Sequence, residues 1–377
     1  MKKGWGRWAW LAIGAVVIAL IFYNLSRSPE WSNFRWDRLW RSMVGARIDY
    51  LLLSVLLVFG SFAVRAMRWR FFMAPIKAAS LWVLFVGQIL GFSAIFLVGR
   101  PGELVRPAYI AKRESVPMSG MIAVWLLERV LDTIAMVVLF AAALYFEPVN
   151  PDTAKGVFAL HEMHKWGHVL FGFTALLIIG LVLFRLKAAA LTAAALKLFR
   201  FLPERALRTF AHFLRSFGEG LSVIRDWKGL AGSVVMTVIL WAINTTTFWL
   251  VFKSIRHRLG HLPWLAAGLT LFCAALGLIV QFPGIGGGYQ VGVILALTEI
   301  FNVSAESATG ASILLWIMMC VPTLALGLVL LIHEGLSIRK LEAITEEEEL
   351  AVTLEETQSP SGPLAPPGEQ RASNFPR

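Results

Sequence analysis

Three charged residues lie close together in an apolar stretch that is long enough to cross a lipid bilayer. Glu128, Arg129 and Asp132 stand near the middle of residues 119–146, SGMIAVWLLERVLDTIAMVVLFAAALYF. Each charge costs about 2.5–3.5 kcal/mol at the centre of an inserted helix, so this face must contact protein, water or a ligand. Glu128 and Asp132 share a helix face, and Arg129 can reach Asp132. Two interpretations stay open: an ion-pair lock between helices, and a set of counter-charges along a substrate pathway.

A second charged group surrounds a glycine-proline turn. Arg100, Glu103 and Arg106 occur in GRPGELVR at 99–106. Guanidinium groups can bind phosphate through paired hydrogen bonds, and Gly102 would allow a headgroup to approach the backbone. The simpler alternative is a basic loop that meets anionic lipid nonspecifically, but such a loop has no need of a carboxylate between its arginines.

Three more arginines, Arg65, Arg68 and Arg70, follow another apolar stretch. Long basic side chains at the end of a spanning helix extend to the headgroup layer, and we favour this anchoring role.

A glycine-rich turn, QFPGIGGGYQ at 281–290, interrupts a second apolar segment. An unwound backbone at membrane depth must face protein or a cavity, whereas close helix packing by small residues is the alternative. We favour the broken helix, with these candidate substrate contacts: Pro283, Gly286, Gly287 and Gly288.

The elements that must position these residues are membrane helices. The chain is 57% hydrophobic and only 16% charged, with a mean hydropathy of +0.68, whereas soluble domains have about 25% charged residues. The net charge of +11 comes from basic residues beside apolar segments, which suits membrane orientation and anionic lipid rather than nucleic acid. Two cysteines in apolar segments suggest neither a disulfide nor a zinc site, and no metal or other cofactor is expected. No phosphate-binding loop or Ser/His/Asp arrangement is visible, so an enzyme is not predicted.

The predicted fold is an all-α polytopic membrane domain over residues 1–340, followed by a disordered acidic and proline-rich tail, 341–377. Residues 31–44 are predicted to form an amphipathic helix in the headgroup plane. Clear spans are predicted at 7–24, 49–66, 119–146, 166–184, 230–252 and 309–333.

Two interrupted segments, 80–99 and 264–301, allow two topologies. If both cross fully and the N-terminus is inside, the nine Lys and Arg of 185–229 face outward, against the positive-inside rule. If both are re-entrant, the basic loops and both termini lie inside, with 25–48 as the exception. We therefore favour six spans plus two re-entrant hairpins.

The same topology reveals a repeat. Gly91 follows Leu90 and Gly277 follows Leu276, and eleven residues after each of these glycines comes another, Gly102 or Gly288. With one hairpin entering from inside and the other from outside, this is an inverted repeat of broken helices, which in transporters points to a substrate site near the midplane. Chance similarity in glycine-rich apolar sequence is the alternative.

Several segments in this order and spacing resemble the lysylphosphatidylglycerol synthase transmembrane family, a flippase-like domain found alone or fused to lipid-modifying enzymes. They are RAMRWRFFM (65–73), GRPGELVRPAYIAKR (99–113), LLERVLD (126–132) and FPGIGGGYQVGV (282–293). The resemblance covers roughly residues 5–340 and implies a stand-alone member without the transferase domain.

The resemblance implies movement of an anionic phospholipid or polyprenyl-linked lipid across the inner membrane. Arg100 and Arg106 are expected to hold the phosphate, and Arg129 to lock its helix. Charge balance is assigned to Glu103, Glu128 and Asp132. Arg68 matches an arginine-tryptophan pair of the family, so the resemblance makes it a further candidate for headgroup binding. The alternative is a non-transporting partner that presents lipid to a separate synthase or glycosyltransferase; a homo-oligomer is also possible.

Overall fold

The fold is described from a computed structural model. The described residues are 34–146, 226–255, 258–278, 281–282 and 286–334, with scattered helical residues between 168 and 197. The predicted first span, the predicted tail and Pro283 lie outside these residues, and the predicted span 166–184 is described only in part.

The described part of the chain is helical, apart from one pair of two-residue strands. Its elements are α1 (Trp36–Val44), α2 (Ile48–Met73), α3 (Leu81–Val98), α4 (Val105–Glu114), α5 (Met118–Phe146), α6 (Trp227–Ser254), α7 (Trp264–Gly277), β1 (Gln281–Phe282), β2 (Gly286–Gly287), α8 (Gly288–Leu295) and α9 (Ala305–His333). A 3₁₀ turn (Arg100–Leu104) joins α3 to α4, and a π-helical turn (Ala296–Ile300) follows α8.

Four long helices form the frame of the molecule. α2, α6 and α9 contain 26, 28 and 29 residues and are apolar enough to cross a membrane. α5 is also 29 residues long but has three charged residues in its middle. These four helices contain the spans predicted at 49–66, 119–146, 230–252 and 309–333, so the chain is an all-α polytopic membrane protein.

The first interrupted segment forms a helical hairpin, hairpin 1 (Leu81–Glu114). Its two limbs, α3 and α4, lie against each other: a Cβ on Gly91 would come within 2.6 Å of the Cβ of Arg106. At the open end, the backbone N–H of Ser80 donates to Oε1 of Glu114 at 2.9 Å. The segment therefore returns to the level at which it began, as the prediction of a re-entrant hairpin requires.

The second interrupted segment forms hairpin 2 (Trp264–Ile300), built from α7, the short strands, α8 and the π-helical turn. The strands pair antiparallel at the tip, with Gln281 opposite Gly287 and Phe282 opposite Gly286. The limbs touch backbone to backbone, because Gly277 lies against Gly288 and Gly292 against Cys273. This segment is also a closed hairpin.

The antiparallel pair α2 and α6 defines the two faces of the molecule. At one face the N–H of Arg47 donates to the carbonyl of Ser254 at 2.8 Å, and at the other Gly232 lies against Phe71. α2 therefore ends, and α6 begins, at the face where hairpin 1 opens, which we call the hairpin-1 face. Hairpin 2 follows the end of α6 and opens at the opposite face, the hairpin-2 face.

The flanking helices complete an inverted arrangement. α5 runs from the hairpin-1 face towards hairpin 2, where Phe140 stacks on Phe272 with ring centroids 4.2 Å apart. α9 runs the other way, from Glu306, which accepts from the N–H of Arg35, to Glu334, which pairs with Arg113 of hairpin 1. Each half is thus helix, hairpin, helix, and the two hairpins enter from contrary faces.

α1 is the short amphipathic helix predicted within 31–44. Leu39 is buried against α9 near Gly310. Trp36 and Trp40 are exposed, as expected for aromatic side chains of a helix in the headgroup layer.

A buried charge cluster between the hairpins

Glu128 on α5 is the centre of the charge cluster. Its side chain is completely buried. Oε1 accepts from Nη2 of Arg68 on α2 at 2.5 Å, and Oε2 accepts from Nη2 of Arg106 on α4 at 2.5 Å. Glu128 therefore links its own helix, α5, to α2 and to α4, the returning limb of hairpin 1.

Asp132 lies one turn further along α5 and extends the cluster to α6. Nη1 of Arg68 donates to its Oδ1 at 2.6 Å, and the indole N–H of Trp241 donates to the same oxygen at 3.3 Å. The same Arg68 nitrogen also donates to the hydroxyl of Thr237 at 3.2 Å. α6 thereby contributes polar partners that have no charge of their own.

Arg106 is held on every side. It donates to Oε1 of Gln88 at 2.7 Å as well as to Glu128, and its guanidinium carbon lies 4.8 Å from the ring centroid of Trp69. Buried charges persist when they are paired and hydrogen-bonded. Arg68 and Arg106 meet this condition.

Arg129 is less tightly held, although it belongs to the same cluster. Nη2 lies 3.6 Å from Oε2 of Glu128 and 3.5 Å from Oδ2 of Asp132, distances longer than those of a good hydrogen bond. Its side chain is 38% exposed. Arg129 therefore retains donor capacity towards open space.

Arg65 lies one turn from Arg68 on α2 and contacts the ring of Phe92, with its guanidinium carbon 4.8 Å from the ring centroid. Within the described part of the chain it makes neither an ion pair nor a hydrogen bond. Its Nε is buried.

Two cavities adjoin the cluster. The larger has a volume of about 380 Å³, within the ~300–1,000 Å³ typical of ligand pockets, and Arg65, Arg129 and Asp132 line it together with Trp241 and Asn244. The smaller, of about 130 Å³, is lined by Glu103, Arg106 and Arg129 among others. The wall residues common to both cavities are Phe92, Phe96, Arg129, Leu278, Tyr289 and Met319.

The cavities lie between the two hairpins. Phe92 and Phe96 come from hairpin 1, and Leu278 and Tyr289 come from hairpin 2. Trp316 of α9 closes the gap between them, with its ring centroid 5.1 Å from that of Phe96 and 5.6 Å from that of Tyr289. Arg129 lies at the junction of the two spaces.

The structure brings together most of the charged residues singled out in the sequence. Arg68, Arg106, Glu128, Arg129 and Asp132 form one cluster. Glu128 pairs with Arg68 of α2 and with Arg106 of α4, so this carboxylate links helices, and both interpretations of the charged face stay open.

The other predicted site residues lie beside the cluster or outside the described part of the chain. Glu103 lines the smaller cavity. The side chain of Arg100 lies outside the described residues. Gly102 packs on the backbone of Ala94 and thus closes hairpin 1.

The glycines of hairpin 2 show both predicted features, an interrupted helix and close packing. Gly286 and Gly287 belong to a two-residue strand, and Gly287 has a φ of 72°, which favours glycine. Gly288 begins α8 against Gly277.

Sequence reasoning missed Arg65, Gln88 and Trp241. The anchoring role is wrong for Arg68, which is fully buried, whereas Arg70 is exposed. The spacing of Arg65 and Arg68, three residues apart on one helix face, is the signal that could have placed both in the bundle.

The fold and the site define a class: polytopic helical membrane proteins in which two oppositely inserted hairpins enclose charged cavities. Residues 8–327 match the family described as the lysylphosphatidylglycerol synthase TM region, so the chain belongs to that family. It is also similar to a UPF0104 membrane protein of Pyrococcus horikoshii, with 22% identity over 351 residues that cover 85% of this chain and 95% of that protein.

Proposed function

We propose that this protein moves a lipid with an anionic headgroup, a phospholipid or a polyprenyl-linked lipid, between the leaflets of the inner membrane. One observation carries the proposal: a cavity with charged walls lies between two hairpins that open to opposite faces. A headgroup cannot cross hydrocarbon unaided without losing its hydration. A polar space at the meeting point of two broken helices lowers that cost.

The arrangement also supports alternating access. Hairpin 1 contacts α9 through the hydroxyl of Ser93, which donates to the carbonyl of Thr323 at 3.1 Å, and hairpin 2 contacts α5 through Phe272. Each hairpin therefore packs on the frame of the other half. In inverted-repeat transporters, rocking of one half against the other exposes the central site to each side in turn.

Charge distribution favours one orientation. The basic stretch 185–229 contains nine Lys and Arg and leads directly into α6, which begins at the hairpin-1 face. By the positive-inside rule this face is cytoplasmic. Both termini are then cytoplasmic under the predicted topology.

Obstruction of the larger cavity tests the proposal. Ala275 of α7 lines it, and Ala275→Trp would fill part of its volume. Val321→Trp is the control, because Val321 is an exposed residue of α9. In liposomes of defined composition, labelled anionic lipid should cross at the same rate with the wild type and with V321W. With A275W the rate of crossing should be at least several-fold lower.

Equal rates for the wild type and A275W would contradict a path through this cavity. No movement with the wild type would contradict translocation altogether. Co-purification of an enzyme in that case would favour the alternative, a partner that presents lipid.

A further inference from the structure

The three arginines of the cluster and the neighbouring Arg65 divide into two pairs. In Arg68 and Arg106 the terminal guanidinium nitrogens make hydrogen bonds to carboxylates and to neutral partners. Arg65 and Arg129 make no hydrogen bond through their side chains within the described residues, and both line the larger cavity.

Such a division calls for an explanation, because a guanidinium has five N–H donors and cannot lose its charge in a protein. Donors that make no hydrogen bond in a partly desolvated site cost free energy. The Nε atoms of Arg65, Arg68 and Arg129 are all buried without a partner, but only in Arg65 and Arg129 do the terminal nitrogens also make no hydrogen bond within the described residues. An anion in the cavity would satisfy the donors that the protein leaves open.

The charge of the cluster points the same way. The cluster and the two further charged residues described in the cavity walls, Arg65 and Glu103, comprise four arginines and three carboxylates, which leaves an excess of one positive charge. The short contacts of the two cluster carboxylates go to other arginines: Glu128 pairs with Arg68 and Arg106, and Asp132 with Arg68, at 2.5–2.6 Å. Arg129 lies further from both, at 3.6 and 3.5 Å.

We propose that Arg65 and Arg129 are the anion-binding pair of the cavity and that they grip the phosphate of the headgroup from two helices, α2 and α5. Arg68 and Arg106 are then structural and do not contact the lipid. The assignment rests on the proposed function for its ligand, and it moves the headgroup contact away from Arg106.

The surroundings fit a phosphate with an attached polar group. Phe92 holds the Arg65 guanidinium by a cation–π contact, which orients it without consuming its donors. Asn244 of α6 lines the same cavity and offers an amide, whereas the indole N–H of Trp241 already donates to Asp132. The other residues of the wall are mostly apolar, and its four hydroxyl residues, Ser61, Thr133, Thr247 and Thr323, donate to carbonyls of their own helices.

The test measures lipid binding and stability together. Detergent-purified wild type, R65Q, R129Q and R65K would be titrated with short-chain phosphatidylglycerol, with inorganic phosphate and with diacylglycerol, which has no phosphate. Native mass spectrometry gives the Kd, and thermal unfolding gives the melting temperature. R70Q is the matched control, because Arg70 lies on the same helix and is exposed.

Loss of either arginine should raise the Kd for phosphatidylglycerol about tenfold or more, the effect of losing a charge-assisted hydrogen bond. The Kd of R65K should lie between those of the wild type and R65Q, because a lysine ammonium keeps the charge but lacks the planar, forked donors of a guanidinium. R70Q and diacylglycerol binding should not change. The melting temperature of R65Q should be equal to or above that of the wild type, because no ion pair is broken.

Unchanged phosphatidylglycerol binding by folded R65Q and R129Q would overturn the assignment. So would a melting temperature of R65Q well below that of the wild type, which indicates a structural role. Inorganic phosphate that binds as tightly as the lipid would show that free phosphate is the ligand, and would overturn the headgroup. If lipid binding depends on these arginines but no lipid crosses in liposomes, the anion-binding assignment stands and only the proposed translocation is refuted.

Discussion

At the scale of single residues, the cluster shows how charges can be kept within an apolar bundle. Glu128 has no contact with solvent, and its two oxygens face two guanidinium groups. The desolvation cost of a buried ion is several kcal/mol, and it is offset only when geometry and additional hydrogen bonds are good. Gln88 and Thr237 supply those additional bonds to the arginines.

Glu128→Gln should therefore destabilise the protein strongly. The amide keeps the size of the side chain, but it loses the charge and has one acceptor oxygen for two arginines, so its NH₂ group must face the other guanidinium. Removal of one partner from a buried ion pair costs about 3–5 kcal/mol. A lower melting temperature and a reduced yield of folded protein from membranes should follow.

Asp37→Asn is the control for this prediction. Asp37 also accepts from two arginines, Arg35 and Arg41, but it is at the surface on α1. Solvent-exposed ion pairs contribute little to stability. A similar loss in both variants would show that burial is not the reason for the effect of Glu128→Gln.

At the scale of elements, glycine determines whether the two hairpins can close. Gly91 and Gly102 allow the limbs of hairpin 1 to touch, and Gly277 and Gly292 do the same in hairpin 2. The contacts are to backbone atoms or to a Cβ, which cannot move aside as the end of a flexible side chain can. The repeat of glycines in the sequence is therefore a repeat of close approaches.

Gly277→Ala should open hairpin 2. A Cβ at this position would overlap the carbonyl of Gly288, which belongs to the other limb. Overpacking of this kind costs about 1–3 kcal/mol. We expect a lower melting temperature and faster protease cleavage near the hairpin.

Gly60→Ala provides the comparison, because Gly60 lies on α2 and a Cβ there would meet nothing within 4 Å. Alanine is the better helix former, by about 1 kcal/mol. Stability should be unchanged or higher. A loss equal to that of Gly277→Ala would show that close packing of the hairpin limbs is unimportant.

At the scale of the whole molecule, two halves of like build are inserted in opposite senses. α2, hairpin 1 and α5 form one half, and α6, hairpin 2 and α9 form the other. The halves meet through the long α2–α6 contact and through the charge cluster. The charge cluster thereby lies where the two halves meet.

Cysteine labelling tests this arrangement. Cys273 and Cys320 would be replaced first, and Ala78→Cys and His261→Cys introduced separately. Ala78 is exposed just before hairpin 1, and His261 is exposed just before hairpin 2. A membrane-impermeant maleimide should label the two positions from opposite sides, with Ala78→Cys on the cytoplasmic side.

Labelling of both positions from one side would contradict the inverted arrangement. Opposite labelling with Ala78→Cys outside would keep the fold and reverse the orientation. The experiment therefore tests the inverted arrangement of the two halves separately from the orientation given by the positive-inside rule.

Composition and local pattern were enough to predict the membrane class, four long helices and the re-entrant hairpins. Apolar length identifies a spanning helix because hydrocarbon is nearly 30 Å thick. Glycine-rich interruptions in an apolar segment indicate a broken helix, because an unwound backbone needs close partners. Three charges within one span also showed that α5 faces protein or a cavity, since their cost in lipid is high.

Only the tertiary structure decided which charges pair and which remain open. Arg65 and Arg68 are both arginines and lie three residues apart, yet Arg68 pairs with two carboxylates and Arg65 lines a cavity. The difference arises from α4, α5 and α6, which approach α2 from far along the chain. Two arginines one turn apart on a helix can therefore have different neighbours, and no local sequence pattern encodes where the distant helices lie.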